Sequence, residues 1–290
     1  MSTVYDTITQ QIIKSIEEGA GTFSMPWHKP ASGIPINATT QKHYNGGNVM
    51  ALWCSSMSKG YSSDVWATYK QWASINAQVK KGEKATTGIY FSTFEKEDSS
   101  GNVKKLGFGK PFFLFNAAQV EGYSQASTPQ VDLTARIALA DSTISATGAS
   151  IAHAGTRAFY QPSTDSIQLP PRDQFIGTAT STATESYYST LLHELTHWTG
   201  SPKRLERVKG KRFGDSAYAF EELVAEIGAA FLCARLGITN APRVDHAQYI
   251  ASWLEVLKGD SRAIITASSE AQKACDYILQ GNSEPIALAA

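Results

Sequence analysis

Two histidines and a glutamate in the C-terminal half have the spacing of a metal-binding helix. The segment reads His193-Glu194-Leu195-Thr196-His197, and residues four apart lie on one face of a helix. His193 and His197 can therefore bind one metal ion, while Glu194 is placed to take a proton from a metal-bound water. The sequence predicts a metal-dependent hydrolytic site with Glu194 as its general base. The alternative is an ordinary buried helix that carries two incidental histidines.

A third protein ligand is expected, because catalytic zinc sites usually take three ligands from the protein. An otherwise apolar segment carries Glu221, Glu222 and Glu226, of which Glu222 lies 25 residues after His197; unpaired buried carboxylates there would be costly. Glu222 and Glu226 are four apart and share a helix face. We predict that Glu222 is the third ligand and that Glu226 accepts a hydrogen bond from the far ring nitrogen of a histidine ligand. Glu221, about 100° away around the helix, is the rival ligand.

The ligand types indicate which metal the site would hold. Two imidazoles and one carboxylate suit zinc best, and manganese, cobalt and nickel are alternatives. A group that stabilises the charged transition state is also expected, and Tyr218 and His246 are the candidates. The order H-E-x-x-H followed by E-x-x-x-E is similar to that of the Glu-zincin peptidases, which implies hydrolysis of peptide bonds.

Aromatic residues and lysines are interleaved through residues 27–84. Single-stranded nucleic acid is bound by aromatic stacking and a basic groove, without readout of base edges, and this composition suits such a partner. The alternative is that most of the aromatic rings form the core. The candidates for DNA contact are the residues nearest predicted loops and the lysines among them: Trp27, Lys29, Lys42, Tyr44, Tyr69, Lys70, Lys80 and Lys81.

A second basic cluster follows the histidine motif. It lies in the connection between the two predicted metal-binding helices, where it is either a solvated loop or a contact with a phosphate backbone. Its members are Lys203, Arg204, Arg207, Lys209, Lys211 and Arg212.

The distribution of charge gives weak support to an anionic partner. The formal net charge of the 290 residues is zero, so no general attraction to nucleic acid is expected. Residues 1–127 nevertheless hold twelve lysines and nine acidic residues, an excess of three positive charges. Residues 128–290 carry an excess of three negative charges.

Cysteine usage and hydropathy bear on the cellular location. The three cysteines, Cys54, Cys233 and Cys275, are far apart and form neither a metal-spaced pair nor a disulfide framework. The N-terminus has no basic and then apolar signal pattern, and no apolar run approaches the length needed to span a membrane. We therefore expect a soluble, cytoplasmic protein without a membrane partner.

The periodicity of apolar residues predicts an α+β protein of two domains. Helices are predicted at 4–18, 48–58, 132–147, 185–199, 217–236, 243–258 and 261–280, with another opening in the run Trp66–Trp72. Strands are predicted at 89–94 and 112–115, and a hairpin is predicted within 157–169. The polar stretch 124–130 is the best linker candidate. The expected division is a domain at 1–123 and a mostly helical domain with a small sheet at 131–290.

Several longer motifs resemble those of the ArdC family of plasmid antirestriction proteins. The resemblance covers nearly the whole chain and rests on the following segments: Pro35-Ile36-Asn37, Tyr44-Asn45-Gly46-Gly47-Asn48, Trp66-Ala67-Thr68-Tyr69-Lys70-Gln71, Val79-Lys80-Lys81-Gly82-Glu83, Tyr187-Tyr188, His193 to Gly200, and Glu221 to Glu226.

The resemblance implies a single-stranded-DNA-binding domain at 1–123 and a zincin-like metallopeptidase domain at 131–290. It further implies protection of incoming conjugative DNA from host restriction enzymes, with a protein of the restriction system as a possible target. A similar front domain in plasmid primases of the TraC type supports DNA handling.

Three hypotheses remain open on the residues alone. In the first, DNA binding brings an active peptidase site to the entering strand. In the second, the front domain coats DNA and the metal only stabilises the fold. In the third, the chain is a peptidase whose front domain is structural.

Overall fold

The structure is a computed structural model that describes residues 3–20, 25, 27, 33–97, 103–124, 132–177, 181–207, 216–239 and 246–280. The predicted linker at 124–130 lies, apart from Ser124, outside these residues. Within them the helices are α1 (Val4–Ala20), α2 (Gly47–Lys59), α3 (Tyr69–Ser74), α4 (Leu133–Ala146), α5 (Ala183–Thr199), α6 (Ser216–Leu236), α7 (His246–Gly259) and α8 (Ala263–Leu279).

The strands of the described residues form three sheets. They are β1 (Ile36–Asn37), β2 (Val65–Ala67), β3 (Gln78–Val79), β4 (Thr86–Glu97), β5 (Val103–Asn116), β6 (Val120–Glu121), β7 (Ser150–His153), β8 (Phe159–Gln161) and β9 (Ser166–Leu169). One sheet has the order β1-β2-β5-β4, a second joins β3 with β6, and a third has the order β7-β9-β8. The predicted α+β architecture is confirmed.

The front half is built around the long antiparallel hairpin of β4 and β5. Thr86 pairs with Leu114 and Glu97 pairs with Val103, so that the hairpin extends well beyond the short strands β1 and β2. The β4 strand lies at the edge of its sheet, and the side chain of Asn48 bonds both backbone groups of Ile89 there, at 2.8 and 3.0 Å. The outward hydrogen-bonding groups of the backbone at Ile89 are therefore already paired with a side chain.

The predicted helix opening at Trp66 is wrong at its start. Residues 65–67 form β2, and the helix begins only at Tyr69. The reason is local: Thr68 and Gln71 form a reciprocal capping box that fixes the first turn. The predicted spans of the other helices agree with the described ones to within about three residues, as expected for element boundaries.

One hydrophobic core joins the two predicted domains. Ile8, Ile12 and Ile16 of α1 are 0% exposed and belong to the same buried cluster as Leu223 and Trp253 of the C-terminal half. Helix α1 packs on α7, and α2 packs on α8. The front half is therefore a structural support of the C-terminal helices. Among the described residues, no helix is long and apolar enough to cross a membrane.

Candidate metal centre

Helix α5 carries the histidine motif and is fixed at its start by a capping box. Thr182 Oγ1 accepts a hydrogen bond from the Glu185 backbone, and the Glu185 carboxylate accepts one from the Thr182 backbone at 2.9 Å. Thr239, beyond the end of α6, donates its hydroxyl to the same carboxylate at 2.7 Å. Leu192 and Leu195 are fully buried. These contacts hold the position of the helix and hence the direction of its histidines.

Helix α6 approaches α5 closely at a glycine. A Cβ added to Gly228 would lie only 2.6 Å from Cγ2 of Thr196, which is too short for any real contact. Thr196 stands between the two histidines in the motif. The absence of a side chain at Gly228 therefore sets the separation of the helix that carries the histidines from the helix that carries the glutamates.

The structure brings the side chains of His193, His197 and Glu222 together. Their ligand atoms all lie within 4.8 Å of one another. Nε2 of His193 is 3.5 Å from Glu222 Oε2, and Nε2 of His197 is 3.5 Å from Glu222 Oε1. Two imidazole nitrogens and a carboxylate converging in a largely buried position make a donor set that fits a divalent metal ion.

Each histidine also faces a second carboxylate on its other ring nitrogen. Glu226 Oε2 lies 3.5 Å from Nδ1 of His193, but no hydrogen bond forms there, so the hydrogen bond predicted between Glu226 and a histidine ligand is absent. Glu221 Oε1 lies 3.2 Å from Nδ1 of His197 and does form one. Glu222 thus faces the Nε2 atoms, whereas the rival Glu221 faces the opposite side of its imidazole.

Arg207 was not singled out by the sequence as part of the site. Its guanidinium bonds both carboxylate oxygens of Glu221, at 3.1 and 2.9 Å. It also donates to the Thr196 carbonyl at 2.6 Å and to the Thr199 hydroxyl at 2.8 Å. Arg207 is therefore tied to the C-terminal turns of α5, and it holds Glu221 against His197. No spacing rule places an arginine of a connecting segment there, so the sequence carried no signal for this role.

The interpretation of the basic cluster as a solvated loop or a phosphate contact is wrong for two of its members. The side chains of Arg204 and Arg207 are only 7% and 4% exposed. Arg204 bonds Asp165, lies 3.8 Å above the ring of Trp198, and donates to the Trp198 carbonyl at 2.7 Å. Lys203 is exposed, whereas Lys209, Lys211 and Arg212 lie outside the described residues.

The pKa values of the clustered side chains show how strongly their charges interact. Burial disfavours protonation of His197, but the charge of Glu222 and the hydrogen bonds that His197 donates to Glu221 and Glu222 outweigh it and raise its pKa to about 9. Burial would raise the pKa of Glu221, yet hydrogen bonds from His197 and Arg207 lower it to about 2. The pKa of Glu222 is also lowered, by the two histidines against the effect of burial. A cation is therefore favoured in this acidic, buried position.

Glu194 and the candidates for transition-state stabilisation occupy different environments. Glu194 is 3% exposed and follows His193 directly on α5. Tyr218 is half-buried near the start of α6. His246 begins α7.

The predicted DNA-contact residues are divided by their burial. Trp27 is fully buried and donates its indole N–H to Glu226 at 3.1 Å, so the prediction that its ring stacks on DNA is wrong. Tyr44 packs against the core, and its hydroxyl accepts from Asn37 at 2.9 Å. Burial raises the pKa of Tyr44 to about 12. The sequence did not reveal that Trp27, which is distant in the chain from the histidine motif, contacts Glu226 beside the metal centre.

The other predicted contacts are accessible where they are described. Tyr69 is 50% exposed, and Lys42, Lys70, Lys80 and Lys81 are exposed. Lys29 lies outside the described residues. Of the remaining front-half tryptophans, Trp53, Trp66 and Trp72 are buried, as the core alternative expects.

Comparison with known families matches two models in succession. Residues 2–127 match the N-terminal domain of the anti-restriction factor ArdC. Residues 138–270 match a zincin-like metallopeptidase model. The order of the two regions agrees with the predicted front and back domains, and the second match confirms the zincin-like character of the C-terminal region.

Relatives of known sequence cover the same range. A protein named y4eC from Sinorhizobium fredii is 39% identical over 95% of this chain and 91% of its own length. A DNA primase TraC of Escherichia coli is 36% identical over 95% of this chain, which spans only 20% of the primase.

Two solved structures have the same fold over nearly their whole length. The metal-free crystal structure of the antirestriction ArdC protein from plasmid R388 has a TM-score of 0.78 and 40% identity, and covers 96% of this chain and 97% of its own. The Mn(II)-bound structure of that protein also has a TM-score of 0.78, with 36% identity over 98% of this chain and 99% of its own.

Proposed function

Because the chain belongs to the ArdC family of antirestriction proteins, we propose that it binds single-stranded DNA and carries a metallopeptidase-type site that protects incoming conjugative plasmid DNA from host restriction enzymes. The observation that carries this proposal is the convergence of His193, His197 and Glu222. The preceding half of the chain exposes aromatic rings and lysines. In this proposal residues 1–123 bind the DNA and residues 131–290 hold the peptidase site.

The chemistry of the site follows from the residues around the cluster. His193, His197 and Glu222 would hold a divalent ion, which when bound supplies a Lewis acid and lowers the pKa of a water molecule. Glu194 then acts as the general base at its carboxylate and passes the proton to the leaving nitrogen of the substrate. Glu221 holds the imidazole of His197 in the orientation that directs its Nε2 atom toward Glu222.

Zinc is the metal that we propose, since two imidazoles and one carboxylate suit it best. Manganese is the alternative supported by a specific observation, because the R388 relative has been crystallised with Mn(II). The relative's bound ion is a property of that protein, and metal analysis of this chain after expression without added metal would decide between the two.

The proposed partners are single-stranded DNA and a host restriction-system protein that serves as substrate or target. The names of the relatives support the first, since they include a DNA primase and an antirestriction protein. For the contacts with DNA we propose the accessible set Lys42, Tyr69, Lys70, Lys80 and Lys81. The free, buried thiols of Cys54, Cys233 and Cys275 fit a reducing, cytoplasmic site of action.

A second candidate function is protection by DNA binding alone, with a structural metal. The observation in its favour is that Glu221, Glu222 and Glu226 are all buried, so that a cation would stabilise the fold by offsetting their charge.

Glu194→Gln separates the two functions. The variant removes the base, keeps the three ligands, and should retain metal while losing peptide hydrolysis. A conjugative plasmid that encodes this variant should become sensitive to a host restriction enzyme when it is transferred into a restricting strain. Undiminished protection by this variant, with its metal content unchanged, would refute the peptidase role and leave the binding role in place.

A further inference from the structure

A groove with a volume of about 650 Å³ lies between the edge strand β4 and helix α8. Its walls include Tyr5 of α1, Tyr90 and Phe91 of β4, and Arg262 and Lys273 beside and within α8. The volume is within the range of pockets that hold organic ligands. The groove is lined by residues of both regions that match a family model, whereas the histidine motif lies within the second region alone.

Three rings of the β4–β5 hairpin, two of them in the groove, are exposed to an unusual degree. Tyr90 is 63% exposed and Phe91 is 56% exposed, and Phe113 on the neighbouring strand is 56% exposed. Large rings are normally buried, and exposed apolar patches commonly mark interaction sites. The β4–β5 hairpin therefore presents aromatic surface that is largely open to solvent.

Cations accompany the exposed rings. Lys110 is directly opposite Tyr90 in the hairpin, so both side chains lie on the same face of the sheet. The Lys110 ammonium is 5.0 Å from the ring of Phe108 on that face. Phe91, the next residue after Tyr90, points to the opposite face of the sheet. Its ring lies 6.5 Å from the ring of Tyr5, and the Arg262 guanidinium lies 5.1 Å from that ring of Tyr5.

The acidic group among the described groove residues is already neutralised. Glu270 is 2.6 Å from the ammonium of Lys273 on the next turn of α8. The groove therefore has a net positive charge, which Arg262 supplies. Lys110 adds a second positive charge on the adjacent face of the sheet. Rings interspersed with cations are complementary to bases joined by phosphates.

The geometry points to this groove as a binding site for single-stranded DNA, an inference that rests on the proposed DNA-binding function. Tyr90 and Phe91 stack on bases, while Lys110 and Arg262 contact phosphates. The zincin-like region thus supplies part of the DNA surface, through Arg262. Helix α8 packs against α6, which carries Glu222, so the bound strand is held on the helix pair that also supports the metal centre.

Other occupants fit the groove less well. An added peptide strand would need the outward backbone groups of β4, but Asn48 already occupies those of Ile89. A second copy of the chain would require an interface whose centre is depleted of charge, whereas here Arg262 and Lys110 stand beside the rings. A polyanion with flat, stackable bases satisfies both features.

The test uses fluorescence anisotropy with a fluorescein-labelled oligodeoxythymidylate of about 20 nucleotides, longer than the usual single-strand footprint of one binding fold. Tyr90→Ala and Phe91→Ala should each raise the Kd of the full-length, metal-loaded protein by about tenfold, the effect of losing one stacked base. Arg262→Gln should reduce the dependence of log Kd on log salt concentration by about 0.7, the value for one phosphate contact of a single strand.

Matched controls separate local contact from general effects. Tyr277→Ala removes a partly exposed ring of the same helix α8 outside the groove walls, and Lys14→Gln removes an exposed charge of α1. Both should bind the oligonucleotide like the wild type. Melting temperature and metal content of all variants should match the wild type, since the altered side chains are exposed.

Three outcomes would overturn the inference, and they are distinguishable. Absence of oligonucleotide binding by the wild type would refute single-strand binding and the groove together. Wild-type binding that is unchanged in the three groove variants but lost in Tyr69→Ala or Lys70→Gln would place the strand elsewhere and leave the proposed function intact. A groove variant that shifts the molar mass from dimer to monomer by light scattering, without changing the Kd, would identify a self-association surface.

Discussion

The metal centre and the proposed DNA surface differ in how far apart in the sequence their residues lie. The spacing of residues along the chain therefore predicts the first much better than the second. In the metal centre, two histidines four apart on α5 and one glutamate of α6 supply the three groups of the cluster. The groove proposed to bind DNA is gathered from α1, β4 and α8, with Lys110 of β5 beside it, and its outermost residues Tyr5 and Lys273 are 268 positions apart in the chain. A helix converts a short motif into one face, whereas a composite groove exists only after the elements have packed.

Removing the carboxylate of Glu222 should have the largest effect on the metal side of this comparison. Glu222→Ala deletes the group that both Nε2 atoms face, so the purified variant should lose most of its metal by mass spectrometric analysis. The matched variant is Glu221→Ala, which removes a carboxylate from the adjacent position but from the other side of His197. If Glu221→Ala loses the metal and Glu222→Ala keeps it, the ligand assignment is reversed.

Metal affinity should rise with pH over a range set by His197. In the absence of metal the pKa of His197 is raised to about 9, so below that pH the metal must displace a proton from it. We expect the association constant to increase by up to about tenfold per pH unit between neutral pH and this value, and then to level off. Competition with a chromophoric chelator, corrected for the titration of the chelator, measures the profile. A flat profile across this range would show that metal binding displaces no proton from His197, which overturns either its raised pKa or its role as a ligand.

Arg207→Met should weaken metal binding without touching a ligand. The change leaves Glu221 without the guanidinium that holds it against His197, and loss of such supporting contacts costs about 10- to 100-fold in metal affinity. Lys203→Met, an exposed position of the same connection, is the control and should leave the affinity unchanged. Equal affinities for the Arg207 variant and the wild type would remove Arg207 from the metal site.

Gly228→Ala tests whether the close approach of α5 and α6 is needed. The new methyl group would contact Thr196 at an impossible distance, and relief by helix displacement should cost about 1–3 kcal/mol in the free energy of unfolding. Gly259→Ala is the matched control, because a Cβ there meets nothing within 4 Å. Urea denaturation of the metal-free proteins should show a lower midpoint for the first variant alone.

Trp27→Phe should have the smallest effect and bears on both regions. It removes the hydrogen bond to Glu226 but keeps a buried ring, so stability should fall by about 1 kcal/mol in thermal or urea unfolding. The Kd for single-stranded DNA should be unchanged, since the ring is inaccessible. A tenfold loss of DNA affinity with unchanged stability would show that Trp27 contacts DNA, contrary to its buried position.

The candidate site was predictable where the helical period governs it. The motif from His193 to His197 and the pair Glu222 and Glu226 follow from residues four apart on a helix. Burial of a particular aromatic residue has no such rule. Trp27, Tyr44 and Tyr69 were grouped by composition and nearby lysines, yet they are respectively buried, mostly buried and half-exposed.

Sequence by itself determined the helical framework, the α+β class, the convergent histidines and the resemblance to a family, because these depend on local periodicity and on motifs of several residues. Tertiary structure alone decided that Arg207 holds Glu221 against one imidazole and that Trp27 contacts Glu226. It also decided that Arg262 lies beside the exposed rings of the front half. The physical reason is that such contacts join distant segments, and their partners are selected by packing and by the need to satisfy buried charge rather than by spacing along the chain.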